Sequence, residues 1–159
     1  MSNFQNQIKL RSKISRVQFR CTVHGISQIA LFDPGSPNTV INLELARALG
    51  LKSYRSGMAK IHISGSTIDV VPVTLPELTM GSLNLTNVRA YAGLGKSWGN
   101  TVLLGLNVLN HLVYTVDRSE GSGFINLELN QAGTISEQDI FNRLISTDGK
   151  YYVTDEEVL

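Results

Sequence analysis

From Arg16 to Val23 apolar and polar residues alternate: Val17, Phe19, Cys21 and Val23 share one face, Arg16, Gln18, Arg20 and Thr22 the other. A period of two marks a half-buried strand, so residues 15–24 are predicted to form one. His24-Gly25-Ile26-Ser27 has the composition of a turn, and residues 28–32 return as the second strand of a hairpin. The period then changes. Leu43, Leu45, Ala46, Leu49 and Leu51 fit a short amphipathic helix within 40–51, stopped near Gly50. Strands resume at 58–63 and 67–73 on either side of the hairpin tip Ser64-Gly65-Ser66, and Pro72 and Pro76 should make the second an edge strand or bend it. Met80-Gly81-Ser82 separates strands at 73–79 and 83–91. A glycine-bearing loop over 92–100 leads to a short strand at 101–104, a brief helix over 106–112, and a hairpin of 113–116 with 124–129.

After Asn130 the pattern becomes helical. Ser136-Glu137-Gln138-Asp139 resembles a helix N-cap with an acid at the capping-box position, followed by Ile140, Phe141, Leu144 and Ile145 at helical spacing. The chain therefore divides into an N-terminal segment (1–14), a predominantly β domain (15–130) and an extension with a short helix and an acidic end (131–159). At 159 residues, 42% hydrophobic, it has enough apolar material for one real core.

A net charge of +1 gives no global field for nucleic acid or an acidic membrane, and no segment is apolar for long enough to span one. Nine Lys or Arg against two acids over 1–60, and three against eight over 118–159, make oppositely biased solvated surfaces. Cys21 is the single cysteine; a lone thiol in an apolar run is a small core residue and fits a reducing compartment. The first thirty residues lack the apolar core of a signal peptide, so the expected location is cytoplasmic. The three histidines, His24, His62 and His111, have no ligand spacing, so neither a metal nor another cofactor is expected. Gly93-Leu94-Gly95-Lys96-Ser97 lacks the spacing of a phosphate loop, and Ser36 has no visible partners for a serine nucleophile.

The chemistry concentrates where the strand Ala30-Leu31-Phe32 ends in Asp33-Pro34-Gly35-Ser36. Hydrolysing a peptide with water needs a base to activate the water and an acid to protonate the scissile group. Two carboxylates about 3 Å apart cannot both ionise, so they share one proton and fill both roles. A glycine after the acid allows a tight turn beside the carboxylate. Apolar walls strengthen the electrostatics.

In order along the chain, these pieces resemble a retropepsin-like aspartic protease of the small bacterial type. The Asp33–Ser36 turn is followed by Asn38-Thr39-Val40-Ile41, a leucine-rich helix at 43–51, the hairpin from Met80-Gly81 to Asn87-Val88-Arg89-Ala90, and Val102-Leu103-Leu104-Gly105-Leu106-Asn107. The similarity covers roughly residues 15–129. It implies an all-β fold, one closed-barrel lobe of an acid protease, with short helices. It also implies that Asp33 is catalytic in the active-site loop Pro34, Gly35 and Ser36, that Leu103, Leu104 and Gly105 support that loop, and that Ile63, Ser64, Gly65 and Ser66 form a substrate-covering flap. With a single Asp-x-Gly-Ser per chain, the second aspartate would come from a homodimer. Trp98, just before the supporting strand, should pack in the core, with a pocket or dimer contact as the alternative.

The chain departs from the family at Pro34, where Thr or Ser is usual. Proline has neither the hydroxyl nor the N–H that would grip the partner's loop, although its fixed φ stiffens the turn. Two functions are therefore carried forward. One is a homodimeric aspartic endopeptidase acting on extended peptide or protein substrates, with a low or mildly acidic pH optimum. The other is a non-catalytic module that uses the same fold for dimerisation or peptide binding.

Overall fold

A computed structural model describes residues 6–11, 16–63, 65–95, 98–119, 121–130 and 159. The helix expected at 136–145 lies outside these residues, as does Ser64. The elements are β1 (Gln7–Lys9), β2 (Gln18–Val23), β3 (Ile26–Phe32), β4 (Val40–Asn42), α1 (Leu43–Ala48), a 3-10 turn (Arg55–Gly57), β5 (Ala59–Ile63), β6 (Ser66–Met80), β7 (Leu83–Leu94), β8 (Thr101–Leu104), α2 (Leu106–Leu109), β9 (Leu112–Asp117) and β10 (Phe124–Leu129).

Six strands close on themselves in the order β2-β3-β8-β4-β7-β6, with β6 returning to β2 at Thr22–Thr79 and Val23–Leu78. The β3–β8 and β4–β7 pairs are parallel and the others antiparallel. This is the all-β, closed-barrel architecture anticipated from the sequence. The inward residues of the alternating strands fill the barrel: Phe19, Val23, Leu75, Leu78, Met80 and Leu104 are fully buried. Cys21 lies among them, and burial pushes its thiol up to about 12. Phe19 meets Phe32 edge to face at 5.6 Å, tying β2 to the end of β3.

Several boundaries differ from the sequence pattern, each for a physical reason. The first hairpin turns in two residues, His24 (φ 47°) and Gly25 (φ 82°), so Ile26 and Ser27 belong to β3. Two successive left-handed residues make the tight turn whose twist matches the strands. Residues 40–42 extend as a strand before the helix begins at Leu43. β7 continues to Leu94, so the following loop is shorter than 92–100.

Pro72 and Pro76 do not end a strand. β6 runs through both for 15 residues. It pairs with β5 over Ser66–Val70 and with β2 at Leu78 and Thr79, and between those stretches its ladder partner among the described residues is β7 alone. The prolines therefore lack N–H groups where no second strand asks for them. Counting along the register puts Pro76 opposite Asn87, which takes a left-handed φ of 53°.

The periodicity also missed β1, whose three residues are too few to carry a pattern. Its anchor is Asn6, buried, whose amide donates to the Met80 and Leu127 carbonyls (3.1 and 2.9 Å) and accepts the Ser82 N–H (2.8 Å). β1, β10 and β9 form a separate three-stranded sheet in that order.

Candidate active site

Asp33 sits where β3 leaves the barrel. Its N–H donates to the Leu104 carbonyl at 2.9 Å, continuing the parallel β3–β8 ladder by one residue. Its own carbonyl accepts the Ser36 N–H at 3.0 Å and closes a four-residue turn. Pro34 occupies the second position of that turn, where a fixed φ near −65° is what the backbone needs. Gly35 is not in the left-handed region, and a Cβ there would make only an ordinary contact, 3.6 Å from Asp33 Oδ1, so within one chain neither conformation nor space demands glycine. Asp33 is half-buried, while Pro34 and Gly35 are exposed.

A second layer holds the turn. The Leu106 and Asn107 N–H groups donate to the Ser36 and Pro37 carbonyls at 2.8 and 3.1 Å. Ser36 Oγ donates to the Asn38 carbonyl at 2.8 Å, which spends the hydroxyl on the loop itself. Thr39, fully buried, accepts the Gly105 N–H at 3.2 Å and donates to Asn107 Oδ1 at 2.8 Å; Asn107 Nδ2 reaches the Arg89 carbonyl at 2.9 Å. Every buried polar atom in this small network is engaged, the condition under which such a network rigidifies. Gly105 is obligatory here because a Cβ would meet the Asn38 backbone, 2.8 Å from its nitrogen and closer still to its carbonyl.

The flap expected at residues 63–66 is the tip of the β5–β6 hairpin, with Ile63 paired to Ser66 and Gly65 at φ 78°. A left-handed glycine at a tip suits a segment that must bend. Ile63 and His62 line the same cavity as Asp33, about 600 Å³ in volume, with Leu31 and Leu103 at its floor. Ile61, Ile63 and Trp98 also pack on the buried trio Leu31, Val40 and Leu103. The hairpin thus rests on the strands that carry the aspartate.

The structure therefore brings together Asp33, Pro34, Gly35, Ser36, Ile63 and Leu103 around one cavity. Leu104 and Gly105 stand behind the loop, Gly65 and Ser66 are exposed at the tip without lining the cavity, and Ser64 lies outside the described residues. Trp98 is half-buried on Leu31, Val40 and Leu103 at the cavity floor rather than in the main core. Its indole N–H donates to the Thr101 carbonyl at 3.1 Å, and Gly93 leaves room for its ring. Beside it, burial pushes the Tyr91 phenol up, partly offset by the Arg89 charge.

Sequence reading missed four contributors. Arg16 and Val17 line the cavity from the segment before β2. Their signal was faint, because long-range bonds place them there: Phe32 N–H to the Val17 carbonyl (3.0 Å) and Arg118 to the Arg16 carbonyl (2.9 Å). Thr39 and Asn107 were visible as polar residues inside apolar runs. A smaller cavity of about 360 Å³, bordered by Ile26, Asn42 and Leu45, has Glu44 as its one ionisable residue among the described residues. No group of three or more His, Cys, Asp or Glu comes together among the described residues.

Comparison with known proteins agrees with this architecture. The family model described as gag-polyprotein putative aspartyl protease matches residues 19–111, more than half of the chain, so the chain belongs to that family. Among solved structures it is similar to a retropepsin-like aspartic protease from Rickettsia conorii, at 16% identity and a TM-score of 0.52 over 77% of this chain and 96% of that one. It is also similar to the retroviral protease-like domain of Ddi1 from Leishmania major, at 15% identity and a TM-score of 0.48 over 62% and 79%. No curated protein matches the sequence. The fold is that of a retropepsin-like aspartic protease.

Proposed function

We propose that the chain is a homodimeric aspartic endopeptidase in which Asp33 of each copy contributes one carboxylate to a shared dyad. The observation that carries this reading is the convergence of a clamped Asp33 turn and the tip hairpin on one apolar-floored cavity. One carboxylate of the dyad, ionised, takes a proton from water as the water attacks the scissile carbonyl; the other, protonated, donates to the carbonyl oxygen. The peptide lies extended beneath the β5–β6 hairpin, its backbone pairing as an added strand.

One face of the chain suits the second copy. Among the described residues β9 has a single neighbouring strand, β10, and it exposes Val113 (53%) and Tyr114 (42%). An apolar edge strand is a template for pairing with another chain. The Tyr114 ring packs edge to face on Phe32 at 4.9 Å, and Phe32 precedes Asp33. A copy covering this edge would therefore sit beside the catalytic turn. With its buried thiol, the chain fits a cytoplasmic setting.

The test is cleavage of a mixed peptide library from about pH 4 to about pH 7, with Asp33→Asn as the control. Cleavage that this substitution removes is the expected result. Absence of cleavage at concentrations that support dimers would leave the rival, a peptide-binding module whose Pro34 has lost the grip of the usual hydroxyl.

A further inference from the structure

We infer that the cleft selects peptides carrying an acidic side chain on either side of the scissile bond, held between Arg16 on the cleft wall and His62 on the flap. The inference rests on the endopeptidase reading of Asp33. Among the described residues, three ionisable ones line the cavity: Asp33, Arg16 and His62. The remaining walls are the uncharged turn and the side chains of Val17, Leu31, Phe32, Ile63 and Leu103.

Among the described residues, Arg16 therefore supplies positive charge on one wall, His62 a ring donor on the other, and the catalytic carboxylate the negative charge. Arg16 is exposed, and its carbonyl accepts one guanidinium N–H of Arg118 at 2.9 Å. A second Arg118 N–H reaches the Ser122 carbonyl at 3.1 Å, so a further cation is fixed at that end of the cleft. On the hairpin, His62 Nδ1 lies 3.0 Å from Thr67 Oγ1. With Nδ1 engaged by Thr67, an Nε2–H offers a donor to an incoming carboxylate. The other charges on that hairpin, Lys60 and Asp69, pair with each other at 2.7 Å and cancel. A carboxylate entering between Arg16 and His62 gains charge-assisted bonds from both sides, whereas a Lys or Arg side chain is repelled there. In a two-fold dimer the same residues recur at the other end, so the preference is symmetric about the scissile bond.

The experiment compares two fluorogenic peptides that differ only in Glu or Gln flanking an apolar scissile pair. At low salt the expected kcat/KM ratio favours Glu about fivefold, equivalent to about 1 kcal/mol. The ratio should fall towards unity as salt is raised. Arg16→Glu should take it below unity, as attraction at that wall becomes repulsion. His62→Gln, on an exposed hairpin, should lower the ratio and serves if the Arg16 variant does not fold. Binding of the same labelled peptides to Asp33→Asn protein, read by anisotropy, separates the two readings. Cleavage with a ratio near unity, or a ratio that ignores both substitutions, overturns the inference and leaves the endopeptidase reading intact. Glu-selective binding that Arg16→Glu reverses, with no cleavage by the unmodified protein, sinks the endopeptidase reading and keeps the selectivity.

Discussion

Gly105→Ala is the substitution that most sharply tests how the aspartate is held. The new methyl would stand 2.8 Å from the Asn38 nitrogen and nearer still to the Asn38 carbonyl, against backbone atoms that cannot rotate away. Relieving that overlap means moving residues 36–39 away from β8 by roughly 1 Å, which is the scale of an overpacked core. The same movement strains the bonds from Leu106 N–H to Ser36 (2.8 Å), Asn107 N–H to Pro37 (3.1 Å) and Gly105 N–H to Thr39 Oγ1 (3.2 Å). Overpacking costs about 1–3 kcal/mol, and each weakened bond up to about 1 kcal/mol. A total near 3 kcal/mol is expected, seen as a fall in melting temperature of roughly 10 °C. Urea unfolding of the purified variant reads the stability term whether or not the protein cuts peptides. For the enzyme, displacement of the turn by about 1 Å should cost on the order of a hundredfold in kcat/KM. A variant with unchanged stability and unchanged cleavage would refute the clamp as described.

Other outcomes follow from the same geometry. Asn107→Ala and Thr39→Val should each destabilise by about 1–3 kcal/mol, and the double variant by less than the sum, because both remove the same Thr39–Asn107 bond at 2.8 Å; denaturant melts of the three variants check this. Cys21 keeps its proton to about pH 12 when folded and loses it near 9.0 when unfolded, so the unfolded chain binds fewer protons between those values and stability must fall there as pH rises. The expected slope attributable to this thiol is about 1.4 kcal/mol per pH unit, present in the native sequence and missing from Cys21→Ala. Val113→Lys places a charge on the exposed edge of β9 and should shift sedimentation towards monomer without changing the melting of the barrel; an unchanged dimer would move the interface elsewhere.

The barrel was legible in the chain because its strands carry their own periodicity. Val17 to Val23 alternates and folds as written, and residues 101–104 and 124–129 match β8 and β10. The turn at Asp33 was legible for a different reason: Asp, Pro and Gly in that order leave the backbone little choice. What the pattern could not show depends on partners distant in sequence. Pro72 and Pro76 look like strand breakers until β6 is seen to have only β7 beside it there. Arg16 is held at the cleft by the bond from Phe32 to its neighbour Val17 and by Arg118, 102 residues on, and β1 exists because β10 and Asn6 hold it. Thr39 and Asn107 are 68 residues apart, and neither announces the other.

Mixing native and Asp33→Asn chains tests the shared dyad most directly. After subunit exchange at equal concentrations, a two-fold site needs both copies native, so cleavage should fall to about one quarter of the all-native rate at the same total protein. A fall to about one half would mean that each chain carries a complete site. Cleavage by Asp33→Asn protein alone would mean that Asp33 is not the catalytic acid, and either result contradicts the account.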